Sequence, residues 1–381
     1  MSHQTELPPP NLVTKPHQLD LLVTHLAHHP AVAVDTESNS LHAYQERVCL
    51  IQFSLPGADY LVDPLAGLDL ASLGDVLANP QIEKVFHAAE YDVMCLRRDF
   101  GWEFDNLFDT MLAARILGWP RIGLGNILEE QFGVHLNKRW QRYDWGERPL
   151  NPEALAYAQL DTHYLLSLHE RVLAELQNKN RLEEARAVFV QVAKSEPAFR
   201  DFDPDQDLWR VKGVWDLAGE SQAILRELLV WRDQEARRRD RPPFKVLGDR
   251  TLLALAQSRP QSMGGLARID GLKQHHVRRY GRKLLWSIKQ GLHAPAPTPP
   301  RQHPRPDQVV VDRYEALRRW RKRRAQVRGV DPDVIVSNAA LWILASHRPL
   351  SLADLAALKV LDGWKQEAYG QALLDVLRKN P

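Results

Sequence analysis

Short apolar runs and helical patterns alternate in the first part of the chain. Four runs predict strands: AVAVD (31–35), VCLIQFSL (48–55), ADYLVD (58–63) and KVFH (84–87). Apolar residues then recur at helical spacing in 89–99 and again in 111–132. The stretch 152–176 is also helical, and Pro152 marks its start. This order predicts an α/β domain in which helices flank a mixed sheet.

Beyond about residue 210 the pattern becomes purely helical and repeats itself at a constant offset of 89 residues. The matched pairs include Trp231 with Trp320, Pro243 with Pro332, Leu252 with Leu341 and Tyr280 with Tyr369. One register kept over roughly fifty positions indicates two copies of one small all-α domain. The proline-rich stretch 294–306 between them predicts an extended linker. The expected domains are therefore 1–208, 209–293 and 307–381, with 294–306 as the linker.

Charge is distributed unevenly along the chain. Residues 1–220 carry a net charge of −14, residues 221–330 carry +17 and residues 331–381 carry −1. An acidic body joined to a basic segment favours a polyanionic partner that one part holds and the other processes. Two solvated surfaces of opposite sign are the alternative that charge alone leaves open.

Features of membrane or secreted proteins are missing from the sequence. No apolar run approaches the ~20 residues of a membrane helix, and the N-terminal MSHQTELPPP lacks the apolar core of a secretion signal. Cys49 and Cys95 are the two cysteines, which excludes a disulfide scaffold. We therefore expect a cytoplasmic protein that does not contact a membrane.

Acidic residues stand at the ends of several predicted elements. Asp35 and Glu37 are two residues apart at the end of the first strand, so both side chains point to one face. Asp92 begins a predicted helix, and Asp161 lies one helical turn after Tyr157. Each feature alone is more often a turn, a cap or a surface pair. Together they suit hard divalent ions, two of which can stabilise both oxygens of a phosphodiester displacement.

Three motifs resemble those of a known family: VDTES (34–38), HAAEYD (87–92) and YAQLDTHYLL (157–166). They resemble the exonuclease motifs of the DEDD superfamily, and Tyr157 is typical of its DEDDy branch. LIQFS (50–54), FDTMLAARIL (108–117) and YDWGERPLNPEALAYAQLD (143–161) resemble the ribonuclease D family. The two helical repeats resemble the paired HRDC domains of that family, and the resemblance extends from about residue 12 to 378.

This resemblance implies an RNase H-like 3′-5′ exonuclease domain followed by two all-α HRDC domains. It implies that two Mg²⁺ or Mn²⁺ ions are bound by four carboxylates and that Tyr157 positions the attacking water. The four carboxylates are Asp35, Glu37, Asp92 and Asp161. The implied reaction is stepwise hydrolysis from RNA 3′ ends that releases nucleoside 5′-monophosphates, with tRNA precursors and other small structured RNAs as substrates. Ser38 departs from the family pattern, in which a bulkier apolar residue is expected.

Two other functions stay open at this point, a DNA 3′-5′ exonuclease and a non-catalytic RNA-binding protein. The second would be expected to have lost a carboxylate, and all four are present. We expect a monomer that needs no protein partner.

RNA contacts are predicted in three places, each with a structural alternative. Gln52 interrupts an apolar strand, and a basic aromatic loop precedes the third motif. An arginine run follows Trp231 in the first repeat. The candidates in the loop and the run are Lys138, Arg139, Arg142, Trp145 and Arg148, and Arg237, Arg238 and Arg239. A solvated face, or aromatic anchors in the core, would explain the same residues. For His87 and His163 a structural role is favoured, and for Asp109 a helix N-cap.

Overall fold

The computed structural model describes residues 7–197, 200–300 and 306–380. A six-stranded mixed sheet forms the centre of the first part, in the order β1-β4-β3-β2-β5-β6. Its strands are β1 (Asn11–Val13), β2 (Ala31–Ser38), β3 (Val48–Leu55), β4 (Ala58–Val62), β5 (Glu83–Phe86) and β6 (Leu107–Asp109). β2 lies antiparallel to β3 and parallel to β5. All eight residues of β3 are buried, as its apolar run predicts.

Eight helices cover this sheet: α1 (Pro16–Ala27), α2 (Ala71–Ala78), α3 (Glu90–Phe100), α4 (Thr110–Leu117), α5 (Leu124–Phe132), α6 (Pro152–His163), α7 (Leu165–Asn178) and α8 (Leu182–Ala193). The predicted mixed sheet flanked by helices is confirmed. β1 and β6, each of three residues, are too short to give a pattern in the sequence. The predicted helical stretch 152–176 is two helices, because the chain breaks at Tyr164 between α6 and α7.

The repeat in the sequence is also a repeat of helices. After the short α9 (Pro204–Asp207), the first copy contains α10 (Gly219–Arg239), α11 (Pro243–Val246), α12 (Asp249–Ser258), α13 (Met263–Leu266) and α14 (Gln274–His293). The second copy contains α15 (Gln308–Arg328), α16 (Pro332–Ile335), α17 (Asn338–His347), α18 (Leu352–Ala357) and α19 (Gly363–Arg378). Each helix begins 89 residues after its counterpart. Arg259 and Arg348 end matching helices in the same left-handed conformation, each with φ of 46°.

The chain forms two compact units. One contains the described residues of Met1–Ser38, Val48–Pro197 and Arg305–Pro381, and the other those of Asn39–Arg47 and Ala198–Pro304. The first unit thus joins the sheet to the second helical copy. The predicted domain boundaries stay predictions, and residues 301–305 of the predicted linker lie outside the described residues.

Within the first unit, the second helical copy packs on the α/β part through a buried ion pair. Arg328, at the end of α15, binds both carboxylate oxygens of Glu184 on α8, at 2.8 and 2.5 Å. The two side chains are 12 % and 1 % exposed. Arg181 donates a hydrogen bond of 2.9 Å to the carbonyl of Arg328, and Val334 packs against the core of the sheet.

Within the second unit, the loop 39–47 is held by the first helical copy. The Tyr44 hydroxyl donates a hydrogen bond of 2.5 Å to Asp233 of α10, and its backbone N–H donates one of 3.0 Å to Asp240. The guanidinium of Arg237 lies 5.1 Å from the centre of the Tyr44 ring. The loop that connects β2 to β3 is therefore part of the core of another unit. Among the helices in the described ranges, none is both long and apolar enough to cross a membrane.

Candidate active site

Three carboxylates converge at the end of β2. Oxygens of Asp35, Glu37 and Asp161 all lie within 4.8 Å of one another. Asp35 and Glu37 share a face of β2 because they are two residues apart, and the pairing of β2 with β3 shifts register directly after Glu37. Asp161 comes from the last turn of α6, which packs against β2, β3 and β4. Three oxygen donors at this spacing fit one hard divalent cation.

Asp92 reaches the same cluster from a different element. It is buried in the first turn of α3, where the helix dipole favours a negative charge. The Thr36 hydroxyl, between the two acidic residues of β2, donates a hydrogen bond to the Asp92 carboxylate. Asp109 fixes the approach to α3, since its carboxylate accepts hydrogen bonds from the backbone of Ala88 and Ala89 while it caps α4. The N-cap interpretation of Asp109 is thereby confirmed.

Tyr157 lies one turn before Asp161 on α6 and is 7 % exposed. Its hydroxyl lies close to Asp161, Glu37 and Asp35, with the side chain of Gln141 nearby. α6 begins where expected, with Asn151 accepting a hydrogen bond of 2.8 Å from the backbone of Glu153. The structure therefore brings all five predicted catalytic side chains to one place.

The cluster is electrostatically strained without a positive partner. Burial, together with the charges of Asp92, Asp161 and Glu37, raises the pKa of Asp35 well above its usual range. Burial is also the main cause that raises the pKa of Asp92 to about 7 and that of Asp161 to about 8. Burial and the neighbouring carboxylates raise the pKa of Tyr157 as well. Four acidic groups that resist ionisation in one place fit a site that takes up divalent cations.

A hydrogen-bonded network lies behind the cluster, between α6 and the sheet. Asp59 of β4 accepts hydrogen bonds from Gln159 at 2.7 Å and from Ser54 at 2.6 Å, and its carboxylate lies 2.8 Å from Nδ1 of His163. The Ser54 hydroxyl also lies 2.7 Å from the Thr162 hydroxyl, from which it can accept a hydrogen bond. Burial opposes the charge of Asp59, but hydrogen bonds from His163, Gln159 and Ser54 together lower its pKa. This network fixes α6 on both sides of Asp161, and it depends on tertiary contacts that no local pattern in the sequence predicts.

The two histidines near the motifs have structural partners. His163 binds Asp59, and Nδ1 of His87 lies 2.9 Å from the Thr110 hydroxyl. Burial lowers the pKa of His87 to about 4, so its ring is neutral at physiological pH. Both placements agree with the structural role favoured for them.

Two predicted RNA contacts of the loop before α6 pack against or bind protein groups, and one of them, Trp145, is buried and so has no access to RNA. Trp145 is 1 % exposed and packs between Tyr143 and Tyr157. The guanidinium of Arg148 donates hydrogen bonds to Asp63 and to backbone carbonyls, among them that of Cys49. Trp145 therefore supports the fold of the loop instead of facing solvent, whereas Arg148 reaches the surface with its guanidinium already held by Asp63 and the backbone.

Gln52 is also completely buried, so the predicted RNA contact has no access to it. It pairs with Asp35 across β2 and β3, which places both side chains on one face of the sheet. Neither atom of its amide group has a hydrogen-bond partner among the described residues. A buried, unsatisfied amide beside Asp35 suits a site that fills with water or an ion.

The remaining predicted RNA contacts lie at the surface with different partners. Lys138, Arg139 and Arg142 are exposed in a short 3₁₀ helix, Lys138–Arg142, where Arg139 forms an ion pair with Glu153. On α10, Arg237 binds Asp233, whereas Arg238 and Arg239 both bind Glu235. The Arg239 side chain is only 14 % exposed, so it is a weaker candidate for RNA than Arg238, at 59 %.

Comparison with known proteins identifies the class of this site. A family model described as a 3′-5′ exonuclease matches residues 10–177, and the HRDC domain model matches residues 221–288 and 311–377. The chain is thus a 3′-5′ exonuclease domain followed by two HRDC domains. It is 31 % identical over 357 residues to ribonuclease D of Pseudomonas paraeruginosa, an alignment that covers 91 % of this chain and 92 % of that one. The chain belongs to the ribonuclease D family of 3′-5′ exoribonucleases.

Solved structures agree with this assignment. The catalytic core of RRP6 from Trypanosoma brucei is 32 % identical, with a TM-score of 0.67 over 77 % of this chain and 82 % of that chain. RNase D from Escherichia coli is 24 % identical and shares the fold, with a TM-score of 0.70 over 98 % of this chain and all of that chain. The predicted family, fold and exoribonuclease activity are confirmed. Exonucleases of this family depend on divalent metal ions, and the acidic cluster is present here.

Proposed function

We propose that the chain trims the 3′ ends of tRNA precursors and other small structured RNAs, releasing nucleoside 5′-monophosphates. In this proposal Asp35, Glu37, Asp92 and Asp161 hold two Mg²⁺ or Mn²⁺ ions. The observation that carries it is the convergence of three carboxylates within 4.8 Å, with Asp92 joined to them through Thr36. The cytoplasmic location and the monomeric state expected from the sequence stay predictions.

Each side chain of the site has a distinct part in binding and positioning. When bound, divalent ions supply the positive charge that polarises water and offsets the charge developing on the leaving 3′ oxygen. Asp35 and Glu37 are rigid donors because β2 is an inner strand, paired on both sides. Asp92 is held by the Thr36 hydroxyl, and Asp161 by the docking of α6.

Tyr157 is proposed to orient the attacking water. Its hydroxyl lies close to the Asp161 carboxylate, with the side chain of Gln141 nearby. A hydroxyl next to a ligand carboxylate can accept a hydrogen bond from water or donate one to it. The ring of Tyr157 packs against Trp145, which packs against Tyr143, and these contacts hold the ring in place.

RNA is proposed to approach along exposed cations at the surface of the exonuclease domain. In the loop before α6 these are Lys138 and Arg142, together with Arg139, whose pairing with Glu153 is exposed and therefore weak. Such side chains contact phosphates and give affinity that falls with salt, without sequence preference.

The test is digestion of RNA labelled at either its 3′ or its 5′ end, in the presence of Mg²⁺ or Mn²⁺. Trimming predicts immediate release of the 3′ label as mononucleotide, and a ladder of shortening products from the 5′-labelled RNA. Asp35→Asn is expected to lose activity by several orders of magnitude while RNA binding is kept. Asp75→Asn, at an exposed position of α2, is the matched control and should trim normally.

The substrate class requires its own comparison. A tRNA with a short 3′ extension should be shortened to the mature length, because trimming slows at a stable stem. Matched DNA should be degraded more slowly than RNA. Equal trimming by wild type and Asp35→Asn would refute the assigned site, and faster degradation of DNA would refute RNA as the substrate.

A further inference from the structure

A groove runs between the first and last long helices of the first HRDC domain. α10 and α14 enclose a cavity of about 410 Å³. We call it the indole groove; its lining includes Trp231, Glu235, Arg238, Arg282, Lys283 and Trp286. Trp286 is 61 % exposed, an unfavourable placement for a large indole unless something covers it. Among the residues identified as catalytic or ligand-binding above, only Arg238 belongs to this groove.

A buried carboxylate arranges the cations of the groove. Glu235 is nearly inaccessible, and it binds Arg238 on its own helix at 2.6 Å and Lys283 on α14 at 3.1 Å. Burial opposes its charge, yet the hydrogen bonds from Arg238, Lys283 and Arg239 lower the pKa of Glu235 to about 2. One negative charge therefore holds several positive ones in place, and Arg282 adds another at the exposed surface. The groove has a net positive charge with pre-ordered donors.

An unsatisfied donor lies in the wall of the same groove. Trp231 is 6 % exposed, and within the described part of the chain its indole Nε1 has no hydrogen-bond acceptor. Buried indole N–H groups usually find a partner. The missing acceptor, together with an exposed indole and organised cations, indicates a ligand that offers both a flat ring and oxygen atoms.

The second HRDC domain supplies an internal comparison. At the positions equivalent to Arg238, Arg282, Lys283 and Trp286 it has Val327, Gln371, Ala372 and Asp375. Each cation and the exposed indole are therefore absent from the second copy, although the helices match in register. The groove is a property of the first copy and not of the shared fold.

We propose that the indole groove binds unpaired RNA, with a base stacked on Trp286 and the adjoining phosphates on Arg238, Arg282 and Lys283. This rests on the proposed function insofar as the substrate is RNA. Base faces are accessible only in single strands, whereas a duplex keeps them covered by neighbouring bases. Stacking on an aromatic side chain tolerates any base, which suits an enzyme that meets many 3′ ends.

The test measures binding by the full chain carrying Asp35→Asn, so that RNA is not consumed. The probes are a fluorescent unstructured RNA of about 12 nucleotides and a blunt RNA duplex of the same length, followed by anisotropy. Trp286→Ala is expected to weaken single-strand binding roughly tenfold to a hundredfold, with little effect on the duplex. Trp286→Phe should keep most of the affinity, which separates stacking from misfolding. Trp215→Ala removes an indole outside the groove that is 50 % exposed and is the control.

A second variant tests the phosphate contacts. Arg282→Gln with Lys283→Ala introduces the residues of the second copy and should reduce the slope of log affinity against log salt by about 2. A slope equal to that of the parent protein would remove these two side chains from the interface.

Several outcomes would overturn the proposal. Unchanged single-strand binding by Trp286→Ala would do so, as would an equal loss for duplex and single strand. The groove would instead be assigned to an acidic peptide if poly-glutamate competes with RNA and if Trp286→Ala abolishes the binding of poly-glutamate. Trimming is assayed separately with Asp35 intact. If the enzyme does not trim RNA but Trp286→Ala weakens binding, only the proposed function is refuted. If the enzyme trims normally and Trp286→Ala binds RNA as well as the parent protein, only the role of the groove is refuted.

Discussion

Arg239 and Arg328 occupy the same position of the repeated domain but bind carboxylates in different places. Arg239 binds Glu235, four residues earlier on its own helix, whereas Arg328 binds Glu184 on α8 of the exonuclease domain. The difference follows from one position, since the second copy has Arg324 where the first has Glu235. Because the second copy has no carboxylate at this position, Arg328 pairs with a residue outside its own domain. This pair attaches the second copy to the exonuclease domain.

This relationship predicts that breaking the Arg328–Glu184 pair destabilises the chain. Arg328→Ala leaves Glu184, which is 1 % exposed, without its cation, and such a loss typically costs about 3–5 kcal/mol. A lower unfolding temperature and faster proteolysis of the second HRDC domain are expected. Arg318→Ala, which removes an exposed pair with Glu315, should change stability by less than about 1 kcal/mol. Equal unfolding temperatures for the two variants would contradict the docking role.

Removing the hydroxyl of Tyr157 should slow hydrolysis without weakening metal binding. Tyr157→Phe keeps the ring packed against Trp145 but removes the group that is proposed to orient water. We expect kcat to fall roughly 10²-fold or more, with RNA affinity and Mn²⁺-induced thermal stabilisation kept. Tyr164→Phe, just after α6, is the control. A kcat within twofold of wild type would exclude the assigned role.

The raised pKa values in the acidic cluster predict an unusual pH dependence of stability. In chelator-treated protein the native state holds protons that the unfolded chain releases near pH 4. This contribution to stability is complete below that range and is lost as pH rises through about 7 for Asp92 and about 8 for Asp161. The metal-free unfolding temperature should therefore fall between about pH 5 and pH 8.5.

Added Mg²⁺ should reverse this trend, because its binding competes with protons for the same oxygens. Stabilisation by Mg²⁺ should be large near pH 8.5 and small near pH 5. Asp35→Asn should raise the metal-free unfolding temperature at high pH and abolish most of the response to Mg²⁺. A metal-free protein whose stability is flat over this range would contradict the raised pKa values.

Asp59 is predicted to be a positioning residue for Asp161. Asp59→Ala removes the acceptor for Gln159 and Ser54 and the partner of His163, so α6 loses its fixed contacts beside Asp161. We expect kcat to fall about tenfold with little change in KM, as for a small displacement of a ligand. Asp59→Asn keeps one acceptor oxygen for Gln159 and His163, while its NH2 group can donate to the Ser54 hydroxyl, so this variant should restore most of the activity. An effect of the same size from Asp20→Ala on the surface of α1 would show that the loss is unspecific.

Four of the six strands, and the shared face of Asp35 and Glu37, could be predicted from the sequence because both depend on local spacing. The meeting of Asp92 and Asp161 with that face was implied by the resemblance to the ribonuclease D family. Asp35 and Glu37 share a face of β2 by strand periodicity alone. That Thr36 binds Asp92 could not be predicted, since it depends on how α3 meets the end of β2. Trp145 looked like a stacking residue, but burial is decided by tertiary packing and not by the neighbouring basic residues.

The pairing of the arginine run on α10 with a carboxylate could have been predicted from spacing, although the net charge of the segment does not show it. Glu235 lies three and four residues before Arg238 and Arg239, the spacing at which helical side chains meet. Trp286, by contrast, lies on an amphipathic helix without a comparable spacing pattern that would predict its neighbours. Only the folded arrangement of α10 and α14 brings it next to Arg238 and Lys283.

The loop 39–47 makes the first HRDC domain discontinuous in the chain. Its Tyr44 is anchored by Asp233 and Asp240, yet the loop begins directly after the strand that carries Asp35 and Glu37. A shortened enzyme that ends near residue 197 would retain this segment but lose Asp233 and Asp240, which hold Tyr44. Loss of activity in such a truncation would therefore not measure RNA capture by the missing domain. Point substitutions in the intact chain are the sounder way to separate the roles of the two domains.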